Sequence, residues 1–151
     1  MSDLRDLYQE VILDHSRHPR HFHALDDADR MADGYNPLCG DKITVFLRTK
    51  DGRIEEAAFQ GSGCAISMAA ASMMTQAIQG ATTEELEQTF RAFRDMVTGQ
   101  AHDDTSDSAL LGKLIVFAGV SKFPVRVKCA TLAWHTARAA MEHRPEPVST
   151  E

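Results

Sequence analysis

Three cysteines and one aspartate are placed where they can do chemistry: Cys39 and Asp41 in "NPLCGDKITVFL", Cys64 in "GSGCAIS", and Cys129 in "KFPVRVKCATLAW". A thiolate is a nucleophile and a soft metal ligand, and a carboxylate is a harder ligand that can share the same ion. Cys39 and Asp41 are two residues apart, so on extended backbone their side chains leave the chain on one side. Gly40 between them lets the backbone bend toward a shared ion. Asn36, Pro37, Gly40 and Asp41 are also turn formers, and taken alone the pair reads first as a turn.

Cys64 stands between a Gly-Ser-Gly run and an apolar periodic segment. A helix N-terminus there presents unpaired N–H groups that favour a thiolate. A small buried cap residue explains the position equally well. Cys129 falls on the first turns of a predicted last helix, with Arg126 one turn earlier on the same face. A neighbouring guanidinium favours the thiolate, and a core cysteine is the competing reading. Together, three thiolates and one carboxylate form a tetrahedral, sulfur-rich donor set suited to zinc or to an iron–sulfur cluster. No two cysteines form a CxxC pair, and an odd number argues against a disulfide framework. Spacing alone does not bring the four residues to one point.

The elements that must do so are legible. Leu7, Tyr8, Val11 and Ile12 recur at helical spacing, and Pro19 limits that helix shortly after His15. In "DKITVFLRT", Ile43, Val45 and Leu47 alternate with Thr44, Phe46 and Arg48, as in a strand. Asp51 and Gly52 supply a hairpin turn, "IEEAAFQ" the returning strand, and a short strand before Tyr35 a third. Ile66, Ala69, Ala70, Met73, Met74, Ala77 and Ile78 form a helical face ending near Gly80. Thr82 and Glu85 predict a capping box for a helix carrying Leu86, Phe90, Phe93 and Val97. "QAHDDTSDS" reads as an exposed loop and "ALLGKLIVFAGV" as a short apolar helix. Pro124 opens a final helix to about His143. The expectation is an α+β domain over residues 1–151, with a small antiparallel sheet of about three strands packed against helices and a frayed tail over 144–151.

The bulk properties narrow the function. The chain has 151 residues with 43% hydrophobic and 25% charged, enough for one soluble core. Its formal net charge of −6 argues against a broad nucleic-acid surface. No apolar run reaches the length of a membrane span, and the N-terminal segment lacks the apolar core of a signal peptide, so a cytoplasmic protein is expected.

The three cysteine segments, with the opening "LYQEVILDHSRHPRH", resemble the U-type iron–sulfur cluster assembly proteins of the IscU/NifU family. The likeness covers nearly the whole chain in order. It implies that Cys39, Asp41, Cys64 and Cys129 gather at one end of the domain as one metal site. The IscU branch has a histidine just before the third cysteine, where this chain has Lys128. Lysine keeps its charge at neutral pH and is a poor ligand. The segment between Cys64 and Cys129 is also longer than in that branch. Both features resemble the SufU branch, which implies zinc on the four residues and sulfur accepted from a SufS-type cysteine desulfurase on Cys39. It further implies a supporting role for Arg126 and delivery of sulfur to a downstream scaffold. The alternative is a scaffold carrying a [2Fe–2S] cluster on the same residues. Asp41 is the hardest donor of the set, so the site is expected to tolerate rearrangement around it, and Cys39, on a Gly/Pro-containing loop, is expected to leave the metal at less cost than the helix-anchored Cys64 and Cys129. His15, His18, His21 and His23 straddle a helix end and are read as a solvated basic segment, and Trp134 as a core or rim residue.

Overall fold

The structure is a computed structural model and describes residues 2–100, 109–144 and 146–150. In chain order the elements are α1 (Ser2–Arg17), β1 (Arg30–Asn36), β2 (Asp41–Lys50), β3 (Arg53–Ser62), α2 (Ala65–Ile78), α3 (Thr83–Val97), a 3-10 helix (Gly112–Lys122), α4 (Pro124–Met141) and β4 (Val148–Ser149). The sheet runs β3-β2-β1-β4, with β1–β2 and β2–β3 antiparallel and β4 parallel to β1. This is the expected α+β arrangement with one strand more. The tail expected to fray instead lays Val148 and Ser149 beside Gly34 and Tyr35, and Val148 packs on the core. Two residues suffice to pair the open edge of β1, and so short a strand leaves no periodic pattern in the sequence. The stretch expected to be an exposed loop falls, at positions 101–108, outside the described residues.

The β2–β3 hairpin follows from its turn. Asp51 and Gly52 have φ of 54° and 77°, and Lys50 pairs with Arg53 around them. Two residues with positive φ match the natural twist of the strands. Ile43, Val45 and Leu47 are then fully buried on one face of β2. α2 and α4 pack against the sheet, and α1 packs against α2. α2 is buried on more than one face: Ala69, Ala70, Ala71 and Ser72 are all fully inside. Its small residues let its neighbours approach closely. The same economy operates at Gly34, where a Cβ would lie 2.1 Å from Thr136 Oγ1. That glycine lets α4 settle directly on β1.

The helical expectations hold in detail. Thr82 Oγ1 accepts from the Glu85 N–H at 3.1 Å and Glu85 Oε1 from the Thr82 N–H at 2.9 Å, closing the capping box. The apolar "ALLGKLIVFAGV" segment is mostly 3-10 rather than α. Leu111, Leu114, Phe117 and Val120 recur every three residues and are all buried, and a three-residue turn places them in one stripe. Trp134 is a core residue, with its ring 5.3 Å from Phe93 and 5.9 Å from Phe90. His15 departs from the solvated reading. It is buried, and its Nδ1 lies 2.7 Å from Ser72 Oγ, which also accepts from the Arg20 N–H. α1 is thereby tied to α2 through a polar contact that periodicity does not reveal.

His135 gives the fold a pH dependence. It sits edge-on to Phe90, with Arg138 Nη2 donating to its Nδ1 at 3.2 Å. Burial first, then the charges of Arg138 and Arg94, lower its pKa from 6.5 to about 4. The ring is therefore neutral in the fold and protonates more readily once unfolded. Its contribution to stability is whole above pH 6.5 and is lost as the pH falls toward 4. The full loss is roughly 3 kcal/mol. We expect His135→Gln to flatten the fall in Tm between pH 6.5 and 4 relative to the wild type. Parallel Tm curves would contradict this.

Candidate metal centre

The site grows from the β1–β2 connection. Asn36 ends β1 and Asp41 begins β2, and the two are register partners flanking residues 37–40. The Cys39 N–H donates to the Asn36 carbonyl at 3.3 Å, and Gly40 turns the chain back with φ of +70°. Cys39 thus rides on a short, half-exposed loop. Partners across an antiparallel pair point to the same face. Asn36 and Asp41 therefore lie side by side, and both are buried.

α2 delivers the next residue. Cys64 is its N-cap, with extended backbone, and its Sγ accepts from the Ser67 N–H at 3.5 Å. The Cys64 N–H donates to Asp41 Oδ1 at 2.8 Å. The carboxylate thus sits where a helix start offers unpaired N–H groups and positive potential. Gly63 makes room for it, since a Cβ there would lie 2.4 Å from Asp41 Oδ1. α4 completes the corner with Cys129, whose Sγ lies 3.3 Å from Cys39 Sγ.

The sulfurs of Cys39 and Cys129 and an Asp41 oxygen all lie within 4.8 Å of one another. Cys64 Sγ stands outside that trio but only 3.9 Å from Asp41 Oδ2. The four residues singled out from sequence therefore meet in one corner of the molecule. Arg126 is on the exposed first turn of α4, one turn before Cys129, and its guanidinium has no hydrogen-bond or ion-pair partner among the described residues.

Electrostatics corrects one expectation. Arg126 does not make Cys129 a thiolate. Burial drives the Cys129 pKa far above its ordinary 9, and the contacts with Cys39 and Cys64, the Cys64 charge and the Asp41 carboxyl add to it. Several groups able to become anions are crowded together away from water, and no cationic side chain is among them. A bound cation reverses that balance and holds the thiols deprotonated. The donors fit one: on tetrahedral zinc, with Zn–S near 2.3 Å, ligand atoms stand about 3.8 Å apart. That spacing holds for two sulfurs; the Cys39 and Cys129 sulfurs stand somewhat closer, at 3.3 Å, and Cys64 Sγ lies 3.9 Å from an Asp41 oxygen, so the four donors are grouped on the scale of one ion's ligand shell.

The hydrogen bonds distinguish Asp41 from Cys39. The Asp41 oxygens accept from the Cys64 N–H and from Asn36 Nδ2, at 2.8 and 3.2 Å. Cys39 Sγ has Cys129 Sγ as its hydrogen-bond contact among the described residues and accepts from no N–H there. The firmly held donor is therefore Asp41, and the loosely held one is Cys39. Sequence reasoning passed over Asn36, whose Nδ2 also donates to Cys129 Sγ at 3.4 Å. Asn36 was read only as a turn former; the hairpin register that pairs it with Asp41 is the signal that reveals it.

Known proteins resemble this chain over most of its length. The family model for the NifU-like N-terminal domain matches residues 7–143. The chain is 45% identical over 133 residues to the zinc-dependent sulfurtransferase SufU of Bacillus subtilis (strain 168), covering 88% of each protein. It is 40% identical over 142 residues to the iron–sulfur cluster assembly scaffold protein IscU of Streptococcus pyogenes serotype M1, covering 94% of this chain and 87% of that one. The crystal structure of FiSufU from Fervidobacterium islandicum AW-1 superposes with a TM-score of 0.81 at 32% identity, covering 87% of this chain and 94% of that one.

The fit of Asp41 beneath Gly63 can be tested. Gly63→Ala should destabilise the protein by about 1–3 kcal/mol through overpacking and push the carboxylate out of line with the thiols. Urea unfolding and zinc competition with a chelator should both register the loss. A variant with wild-type midpoint and wild-type zinc retention would contradict the fit.

Proposed function

The chain belongs to the NifU-like N-terminal domain family, and on that premise we propose that it is a zinc-holding sulfur-transfer protein of iron–sulfur cluster assembly. One observation carries the reading: three thiols and a carboxylate share one corner, and the thiol on the loop is the least restrained of them. Cys39, Asp41, Cys64 and Cys129 are the zinc ligands. Bound zinc supplies the positive charge that keeps buried thiols deprotonated at neutral pH. No helix among the described residues is long and apolar enough to cross a membrane. We place the protein in the cytoplasm, where a reducing environment keeps its three cysteines free.

The chemistry follows from the chain's own residues. The sulfur donor is a persulfide on a SufS-type cysteine desulfurase. The Cys39 thiolate attacks the outer sulfur of that persulfide. A new S–S bond forms on Cys39 as the donor's S–S bond breaks, and the donor cysteine leaves as a thiolate that takes up a proton. One disulfide-type bond replaces another, so no external oxidant or reductant is needed. The short loop of residues 37–40 lets Cys39 move without disturbing helix packing, whereas Cys64 and Cys129 are fixed to α2 and α4. Arg126, exposed one turn before Cys129 on α4, offsets the charge of the freed thiolate. A thiol of the downstream scaffold then takes the sulfur by the same exchange.

A second reading keeps the same four ligands for a [2Fe–2S] cluster. The likeness to a relative named as a scaffold, over 94% of this chain, favours it. Lys128, where the IscU branch has a histidine, is a poor ligand and is shared with the SufU branch, and that likeness supports zinc.

The test is to incubate the zinc-loaded protein with a SufS-type enzyme and cysteine and to map the added sulfur by peptide mass spectrometry. The extra mass should appear on Cys39, and Cys39→Ser should abolish both it and the stimulated release of alanine. Arg126→Ala should slow transfer roughly tenfold, as expected for one charge-assisted contact, with zinc content unchanged. Sulfur on Cys129 with Cys39→Ser still active would overturn the assignment.

A further inference from the structure

Asn36 has no task in the reading above, yet it touches three of the four proposed ligands. Its carbonyl accepts from the Cys39 N–H at 3.3 Å. Its Nδ2 donates to Asp41 Oδ2 at 3.2 Å and to Cys129 Sγ at 3.4 Å. A primary amide has two N–H hydrogens, and both are committed to the donor set. The residue is fully buried, and its Oδ1 has no hydrogen-bond partner. A leucine would fill a similar volume without leaving a buried acceptor unsatisfied. What this position requires is therefore the donor end of the amide.

The N–H groups around the site are distributed unevenly. Asp41 receives two, from Cys64 and Asn36. Cys64 Sγ receives one from Ser67, and Cys129 Sγ one from Asn36. Cys39 Sγ receives none among the described residues. An N–H bond to a thiolate or carboxylate draws electron density from the acceptor and fixes its direction. A thiolate without one keeps its full nucleophilicity and its freedom to leave.

We propose that Asn36 is a positioning residue that fixes Asp41 and Cys129 as stationary ligands, so that Cys39 alone exchanges. The inference rests on the metal reading given above. Asn36 is also neutral, so it orients two anionic donors without adding to the charge at the site. Asn36→Asp keeps the shape but replaces the donor with an acceptor beside Asp41 and Cys129. Asn36→Leu keeps the approximate volume and removes the donor.

The experiment uses the full chain with cobalt(II), zinc and an NMR-active cadmium isotope as probes. Both variants should bind cobalt about 10–100-fold more weakly than the wild type, with shifted sulfur-to-cobalt charge-transfer bands. In zinc-loaded wild type, alkylation mapped by mass should reach Cys39 well before Cys129, and in the variants the two should react together. A merely structural role for Asn36 would not move that order. The cadmium-loaded wild type needs no variant: its Asn36 side-chain amide protons should show coupling to cadmium through the N–H to Sγ bond. Variants with wild-type affinity, bands and alkylation order would overturn the proposal, as would absence of that coupling. A wild-type chain that takes up none of the three metals would overturn the metal reading and this inference with it.

Discussion

Crowding of anion-forming groups in a buried corner is the constraint on which this structure turns. Asp41 is 2% exposed and Cys129 fully enclosed, and the thiols of Cys39 and Cys64 close around them. Such a cluster left to itself resists ionisation, as the raised pKa of Cys129 shows. Each neighbouring element contributes to holding it together nonetheless. The β1–β2 register pairs Asn36 with Asp41, the start of α2 directs an N–H at the carboxylate, and Gly34 allows α4 to lie close enough for Cys129 to arrive. Under the metal reading proposed above, a cation joining these donors would hold the thiols deprotonated and bind the elements together.

The same arrangement separates holding from reacting. Three donors accept from N–H groups, while Cys39 stands on the short loop of residues 37–40 and its Sγ accepts from none among the described residues. The sulfur transfer proposed above needs this asymmetry. One thiolate must come away to meet a partner's persulfide, and the remaining ligands must keep the metal and the fold in place while it does so.

Much of this was legible in the sequence because it is governed by local chemistry. The Asp51–Gly52 turn, the Thr82–Glu85 capping box, the alternation through Ile43, Val45 and Leu47, and the placing of Cys64 ahead of a helix each follow from a few neighbouring residues. What escaped was set by distant contacts. The burial of His15 depends on Ser72, 57 positions away. The fourth strand is two residues long and exists because β1 has an open edge. The mobility of Cys39 was legible in its loop, but the restraint on Asp41 could not be read from ligand hardness, because the hydrogen bonds that hold it come from Asn36 and from the backbone of Cys64. Proximity in sequence also overstated Arg126, whose place on an exposed turn leaves burial to decide the state of Cys129.

The central claim is that these four residues hold one zinc ion. X-ray absorption at the zinc edge, on protein purified without oxygen and without added metal, tests it most directly. The account predicts about one zinc per chain with three sulfurs near 2.3 Å and one oxygen ligand. A zinc shell of nitrogen and oxygen alone, or iron bound in place of zinc, would contradict it.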